Sequence, residues 1–266
     1  MTRPEVAWSQ LASRWDTSGA EWNTPVGERL VRLARLNPGM ATLDVACGTG
    51  AATIPAARVI APAKATGADI AAQMVVRAKE RAKAEGVTNA EFLCQDAMRL
   101  PFPPFSFDAV ICSCGLYLMP SPQRALNAWS AILRPGGIIA YSWVMSDEQV
   151  WDAAYAAVDQ FLPDGQRWVS MRKRWTEREA EHFLPPGVFD WVQTDVEPVT
   201  THYRSIEHWW QSSWSQAPAI AWQNIPPELQ TDASRASFGI LSGIQARDGS
   251  LERTRAVGFT VAQLPD

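Results

Sequence analysis

Short apolar runs alternate with helical segments from Met40 to Val144, and this alternation leaves few folds open to the chain. The runs are ATLDVA (41–46), ATGADI (65–70), AEFLCQD (90–96), FDAVICSC (107–114) and GGIIAYSWV (136–144). Between them lie AATIPAARVI, QMVVRAKERAKAEG and SPQRALNAWSAIL, the second closed by Gly86 and the third opened by Ser121 and Pro122. Repeated strand–helix alternation implies βαβ units and a parallel sheet covered on both faces. Right-handed crossovers bring the loops that follow the strands to one edge of the sheet. Ligands of such folds bind there, where the strand order reverses.

The flanks read differently. In residues 1–36, Trp8, Leu11, Ala12 and Trp15 keep helical spacing, with Gly19 expected to end that helix. Thr24 and Pro25 then read as the N-cap and first position of a second helix, stopped by NPG at 37–39. Beyond Val144 the chain turns aromatic: nine of the 13 tryptophans lie from Trp143 to Trp222. DEQVWDAAYAAVDQFL and TEREAEHFL read as helices, the latter with a Thr176/Glu179 capping box. FDWVQTDVEPVTTHY (189–203) alternates like a half-exposed strand that RTRAVGFTVAQL (253–264) can pair with. About fifty residues separate these two, and they read as a helical insertion. The expected organisation is an N-terminal helical cap (1–36), a cofactor-binding α/β core (37–203 with 248–266) and a helical lid (204–247).

LDVACGTG (43–50) carries the chemistry. A strand ends in a turn containing Gly48 and Gly50, and a helix follows. Residues without Cβ let the backbone turn sharply and approach a ligand. The helix N-terminus offers unpaired N–H donors and partial positive charge to an anion such as a carboxylate. Asp69, 19 residues past Gly50 at the end of the second strand, can accept hydrogen bonds from two ribose hydroxyls. The G-x-G-x-x-G of nicotinamide binders lacks its third glycine here, which disfavours an oxidoreductase. CQDAMRLPFPPFSFDAV separates the possibilities further: Asp96 follows the third strand, and a Pro/Phe-rich loop leads into the fourth.

Together, these residues resemble the class I S-adenosylmethionine-dependent methyltransferases over about residues 40–144. The match is closest to a bacterial small-molecule branch that includes quinone C-methyltransferases and natural-product tailoring enzymes. The resemblance implies a doubly wound, mostly parallel seven-stranded sheet, with a helical insertion before the last strand and N-terminal helices. It implies S-adenosylmethionine as cofactor. Asp44, Ala46, Gly48 and Gly50 would hold the methionine end, and Asp69 the ribose diol. Ile70 and Met74 would pack on the adenine, and Asp96 with the backbone of Ala97 would read its amino group. Cys112, Ser113 and Leu116 would lie beside the sulfonium. The family often has glycine where this chain has Ala46, a small departure.

Methyl transfer is an in-line displacement with a good leaving group, so much of the catalysis comes from alignment, and no metal is called for. His208 and Tyr117 are candidates for a base or an acceptor-orienting group; His182 and His202 read as surface residues. IEHWWQSSW (206–214) reads as part of a lid, in which Trp210 and Trp214 share a helical face and Trp209 points elsewhere. Trp209, Trp210 and Trp214 would then cover a hydrophobic acceptor, with Trp8, Trp15 and Trp22 closing the other side. Such a lining suits a phenol, polyketide, terpenoid, indole or quinone precursor. One alternative keeps the fold and the cofactor but steers a cyclisation or pericyclic reaction; another is a non-catalytic ligand binder.

The formal net charge of −4 argues against a nucleic-acid partner, and no apolar run approaches the roughly 18 residues of a membrane span. The N-terminus MTRPEVAWSQLASRWD lacks a secretory apolar core. Of the four cysteines, Cys112 and Cys114 sit two apart and would share one buried strand face, and the set suggests neither a zinc site nor a disulfide framework. A reducing, cytoplasmic location is the expectation. Oligomeric state is not legible.

Overall fold

Thr42–Val45 forms β1, buried along its whole length, and every other strand is arranged around it. The computed structural model describes residues 4–18, 20–163 and 174–266. β1 pairs in parallel with β2 (Ala65–Asp69) and β4 (Phe107–Cys112); β3 (Ala90–Cys94) pairs with β2, and β5 (Leu133–Asp147) with β4. β7 (Leu251–Gln263) runs antiparallel between β5 and β6 (Trp191–Tyr203), so the order is β3-β2-β1-β4-β5-β7-β6. This is the mostly parallel seven-stranded sheet expected. Gly258 stands opposite Trp143 in the β5–β7 register, and a Cβ there would lie 2.2 Å from the indole.

The described helices are α1 (Pro4–Ser18), α2 (Ala20–Leu33), α3 (Thr53–Ile60), α4 (Ala72–Ala84), α5 (Pro122–Ser130), α6 (Gln149–Asp159) and α7 (Glu177–His182). α8 (Ile206–Ser213), α9 (Ala219–Trp222) and α10 (Gln230–Leu241) lie between β6 and β7. α4 ends at Gly86 (φ +68°), with the Val87 N–H on the Ala82 carbonyl. Thr176 and Glu179 form the reciprocal cap of α7. Ser121 takes the N-cap position of α5 without a side-chain bond.

Two local expectations are corrected. α2 begins at Ala20, so Pro25 lies inside it instead of opening it. Proline there removes one helical hydrogen bond, and buried Trp22, Val26 and Leu30, aligned on one face, hold the helix across it. Gly19 lies outside the described residues. β4 stops at Cys112, and Cys114 adopts φ +53° in the following turn, so the two cysteines do not share a strand face.

The aromatic insertion makes its own core. Trp209 and Trp222 are fully buried with Trp151 and Tyr155 of α6 and with Tyr203. Trp210 stacks on Trp222 at 5.0 Å between centroids, and Trp214 meets both edge-on at 5.8 and 5.9 Å. The shared face of Trp210 and Trp214 therefore packs against the insertion's own helices.

Candidate active site

The turn after β1 crosses the C-terminal edge of the sheet. Ala46, Gly48 and Gly50 all have positive φ (+54°, +53° and +86°), which costs a non-glycine residue about 1–2 kcal/mol at Ala46. Gly115 closes on this turn: a Cβ there would lie 2.7 Å from the Ala46 Cβ. Asp69, at the tip of β2, ties the turn down. Its carboxylate accepts from the Gly48 N–H at 2.8 Å and the Ala71 N–H at 2.9 Å. Burial raises its pKa against these bonds. Each carboxylate oxygen retains a further lone pair.

Asp44 is almost fully buried. Its Oδ2 accepts from the Thr53 hydroxyl at 2.6 Å, while Oδ1 has no partner. Burial pushes its pKa up to about 7 despite the Thr53 bond, with Asp69 adding repulsion. Asp96 follows β3 and accepts from the Met98 N–H at 2.8 Å. The Trp129 indole holds the Ala97 carbonyl at 2.8 Å, fixing the backbone beside Asp96.

These groups face one cavity of about 390 Å³, within the range of small-molecule sites. One half is walled by Asp44, Ala46, Gly48, Asp69, Ile70, Met74, Asp96 and Ala97. The other is walled by Trp8, Trp15 and Trp22, by Tyr117 to Pro120, by Gln216 to Pro218, and by a charged end comprising Asp147, Tyr155, Arg174, Arg253 and Arg255. Ser113 and Cys114 also line it. Trp8 and Trp15 meet edge to face at 5.6 Å. Tyr117 packs edge-on against Trp175, and burial raises its phenol pKa well above the usual 10, so it stays protonated.

Several expected site residues lie elsewhere. Cys112 and Leu116 are fully buried in the core beneath the sheet edge and are not on the cavity wall. Cys114 lines it instead, its N–H on the Ser142 hydroxyl at 3.1 Å. Gly50 supports the turn from behind, against Ile54. His208 is also off the wall. It is the third residue of α8, its backbone N–H is capped by Ser205, and its Nδ1 accepts from the Arg204 N–H. Trp209, Trp210 and Trp214 belong to the insertion core and do not line the cavity; residues 216–218 are the insertion's contribution to the wall. His182 and His202 are exposed.

Sequence reasoning missed Cys114, Asp147, Tyr155, Arg174, Arg253 and Arg255. A signal existed for two of them: Arg253 and Arg255 keep the strand period of Leu251 and Val257, placing both charges on an inward face. Arg253 bonds Asp147 through Nε and Nη2 and the Tyr155 hydroxyl through Nη1 at 2.8 Å. Among the described residues, no cluster suited to holding a metal occurs, and no helix is long and apolar enough to cross a membrane.

Comparison with known proteins gives the family. Residues 42–137 match a methyltransferase domain. Nocamycin O-methyltransferase of Saccharothrix syringae is 34% identical over 277 aligned positions, covering 97% of this chain and 98% of that protein. Aklanonic acid methyltransferase of a Streptomyces species is 36% identical over 137 residues, 51% of this chain; the match spans 62% of that protein's length. Among solved structures, the YcgJ protein of Bacillus subtilis aligns with a TM-score of 0.60 at 15% identity, covering 91% of this chain and 98% of that one. The [4+2]-cyclase SpnF aligns at 0.59 and 24% identity over 90% of this chain and 81% of its own, a likeness of fold. The chain belongs to the S-adenosylmethionine-dependent methyltransferases. The wall suits that cofactor: it presents an unpartnered buried carboxylate oxygen at Asp44, a second carboxylate at the next strand tip, and a turn with little side-chain bulk.

Proposed function

We propose that the protein transfers a methyl group from S-adenosylmethionine to a hydrophobic small molecule enclosed by Trp8, Trp15, Trp22 and Tyr117. The observation that carries this reading is the continuity of the cavity: the strand tips and the tryptophan wall line one space. The bound cofactor supplies a methyl group on a positively charged sulfur. The chain's residues bind and align. Asp44 would hold an ammonium group with its unpartnered oxygen, and Asp69 a pair of hydroxyls with its remaining lone pairs. Ile70 and Met74 would flank a flat base, with Asp96 and the Ala97 backbone at its polar edge. The tryptophans exclude water from the acceptor, and the protonated Tyr117 can orient an acceptor oxygen. The names of the relatives, a nocamycin O-methyltransferase and an aklanonic acid methyltransferase, favour a natural-product acceptor.

The test is incubation of the purified protein with S-adenosylmethionine and a panel of phenolic, polyketide, indole and quinone acceptors. One S-adenosylhomocysteine should appear for each acceptor methylated. Conversion of an acceptor without that product would favour the cyclisation chemistry instead.

A further inference from the structure

The charged end of the cavity is the part of the molecule that the methyl-transfer reading does not use. Arg253 and Arg255 are 3% and 5% exposed, and both are on the wall. A buried guanidinium is costly unless it is paired. Arg253 meets that need with Asp147 and the Tyr155 hydroxyl, and its guanidinium lies against the rings of Tyr155 and Trp151 at 4.9 and 5.3 Å. Arg255 is less fully paired. Among the described residues its one hydrogen bond runs from Nη1 to the Thr201 hydroxyl at 3.3 Å, and the Asp147 carboxylate forms a longer ion pair, 3.9 Å from its Nε. Its guanidinium lies over Trp22 at 4.2 Å. Stacking on Trp22 occupies the flat face and leaves the N–H edge for a planar partner. Arg174, on the same wall, is paired with Asp152. Three guanidinium groups and the single carboxylate of Asp147 thus line this end among the described residues.

We propose that the acceptor is an anion, a hydrophobic small molecule whose two-oxygen acidic group, of which a carboxylate is the simplest, is bound by the free edge of Arg255. This rests on the methyl-transfer reading and narrows its substrate class. A guanidinium fork donates two parallel hydrogen bonds to coplanar oxygens, and Trp22 holds the fork in one plane. Asp147 fixes Arg253 two residues away on β7, so the positive end is built before the ligand arrives.

The experiment measures binding of matched probes, naphthalene-2-carboxylate with its amide and benzoate with benzamide, to protein saturated with S-adenosylhomocysteine, by titration calorimetry. The carboxylate of at least one pair should bind about tenfold or more tightly than its amide, as charged hydrogen bonds generally do. Arg255→Met should abolish that preference, and Arg255→Lys should keep part of it. If no carboxylate exceeds its amide on the wild-type protein, or if the preference survives in Arg255→Met, the inference is overturned. The wild-type comparison decides even if a variant fails to fold. S-adenosylhomocysteine binding, measured first, tests the underlying methyltransferase reading separately.

Discussion

Asp44→Asn should stabilise the cofactor-free protein above neutral pH while weakening its hold on the cofactor. The buried carboxyl has a folded pKa of about 7 against 3.8 in the unfolded chain, because burial outweighs the Thr53 hydrogen bond. Between those values the native state keeps a proton that the unfolded state has lost, so stability falls as pH rises. At roughly 1.4 kcal/mol per pH unit, the cost is about 1.5 kcal/mol near pH 5 and about 4 kcal/mol above pH 8. The amide carries no such cost, although an unpaired amide group costs about 1–3 kcal/mol at every pH. The stability difference between variant and wild type should therefore widen in the variant's favour by about 2–3 kcal/mol between about pH 5 and pH 8.5. That is about 5 °C of Tm for a chain of this size. Differential scanning calorimetry of the two proteins, cofactor-free, at both pH values isolates this residue from the other titrating groups. Calorimetric titration with S-adenosylhomocysteine should show affinity reduced about tenfold or more, through loss of a charged partner for the ammonium group. A Tm difference that stays constant across the two pH values would refute the reasoning.

Asp69→Ala removes the acceptor of two backbone N–H groups and of the proposed ribose bonds, and should weaken S-adenosylhomocysteine binding by about 100-fold or more in the same titration. Gly115→Ala places a Cβ 2.7 Å from Ala46 Cβ and 2.9 Å from the Cys112 sulfur, so its denaturant midpoint should report a loss of about 1–3 kcal/mol. Adding Ala46→Gly should recover part of that loss, because the clash and the left-handed alanine disappear together. His208→Ala should leave turnover within about twofold, since the imidazole caps a helix start away from the cavity.

The strand-tip half of the cavity was legible because its signals are local. Asp44, Gly48 and Asp69 sit at the ends of strands whose period and spacing already fix their edge. The charged end was not, because it depends on the β5–β7 register, which pairs Asp147 with Arg255 across 108 positions of chain. Periodicity put Trp210 and Trp214 on one helical face, which holds, but it says nothing about what that face meets. The partner proved to be Trp222, buried with the residues of α6. His208 misled because a histidine near tryptophans looks chemical, whereas its position three residues past Ser205 makes it part of a cap.

β7 enters the sheet last in sequence yet lies between β5 and β6, and it carries two of the three described cavity arginines, Arg253 and Arg255. The matched methyltransferase domain ends at residue 137, before this segment begins. The β7 arginines and the strand tips are thus encoded in separable stretches. Mutational drift in the final third of the chain can reshape the arginine end while the strand tips are left untouched, so close relatives can diverge in what they modify and keep the same methyl donor.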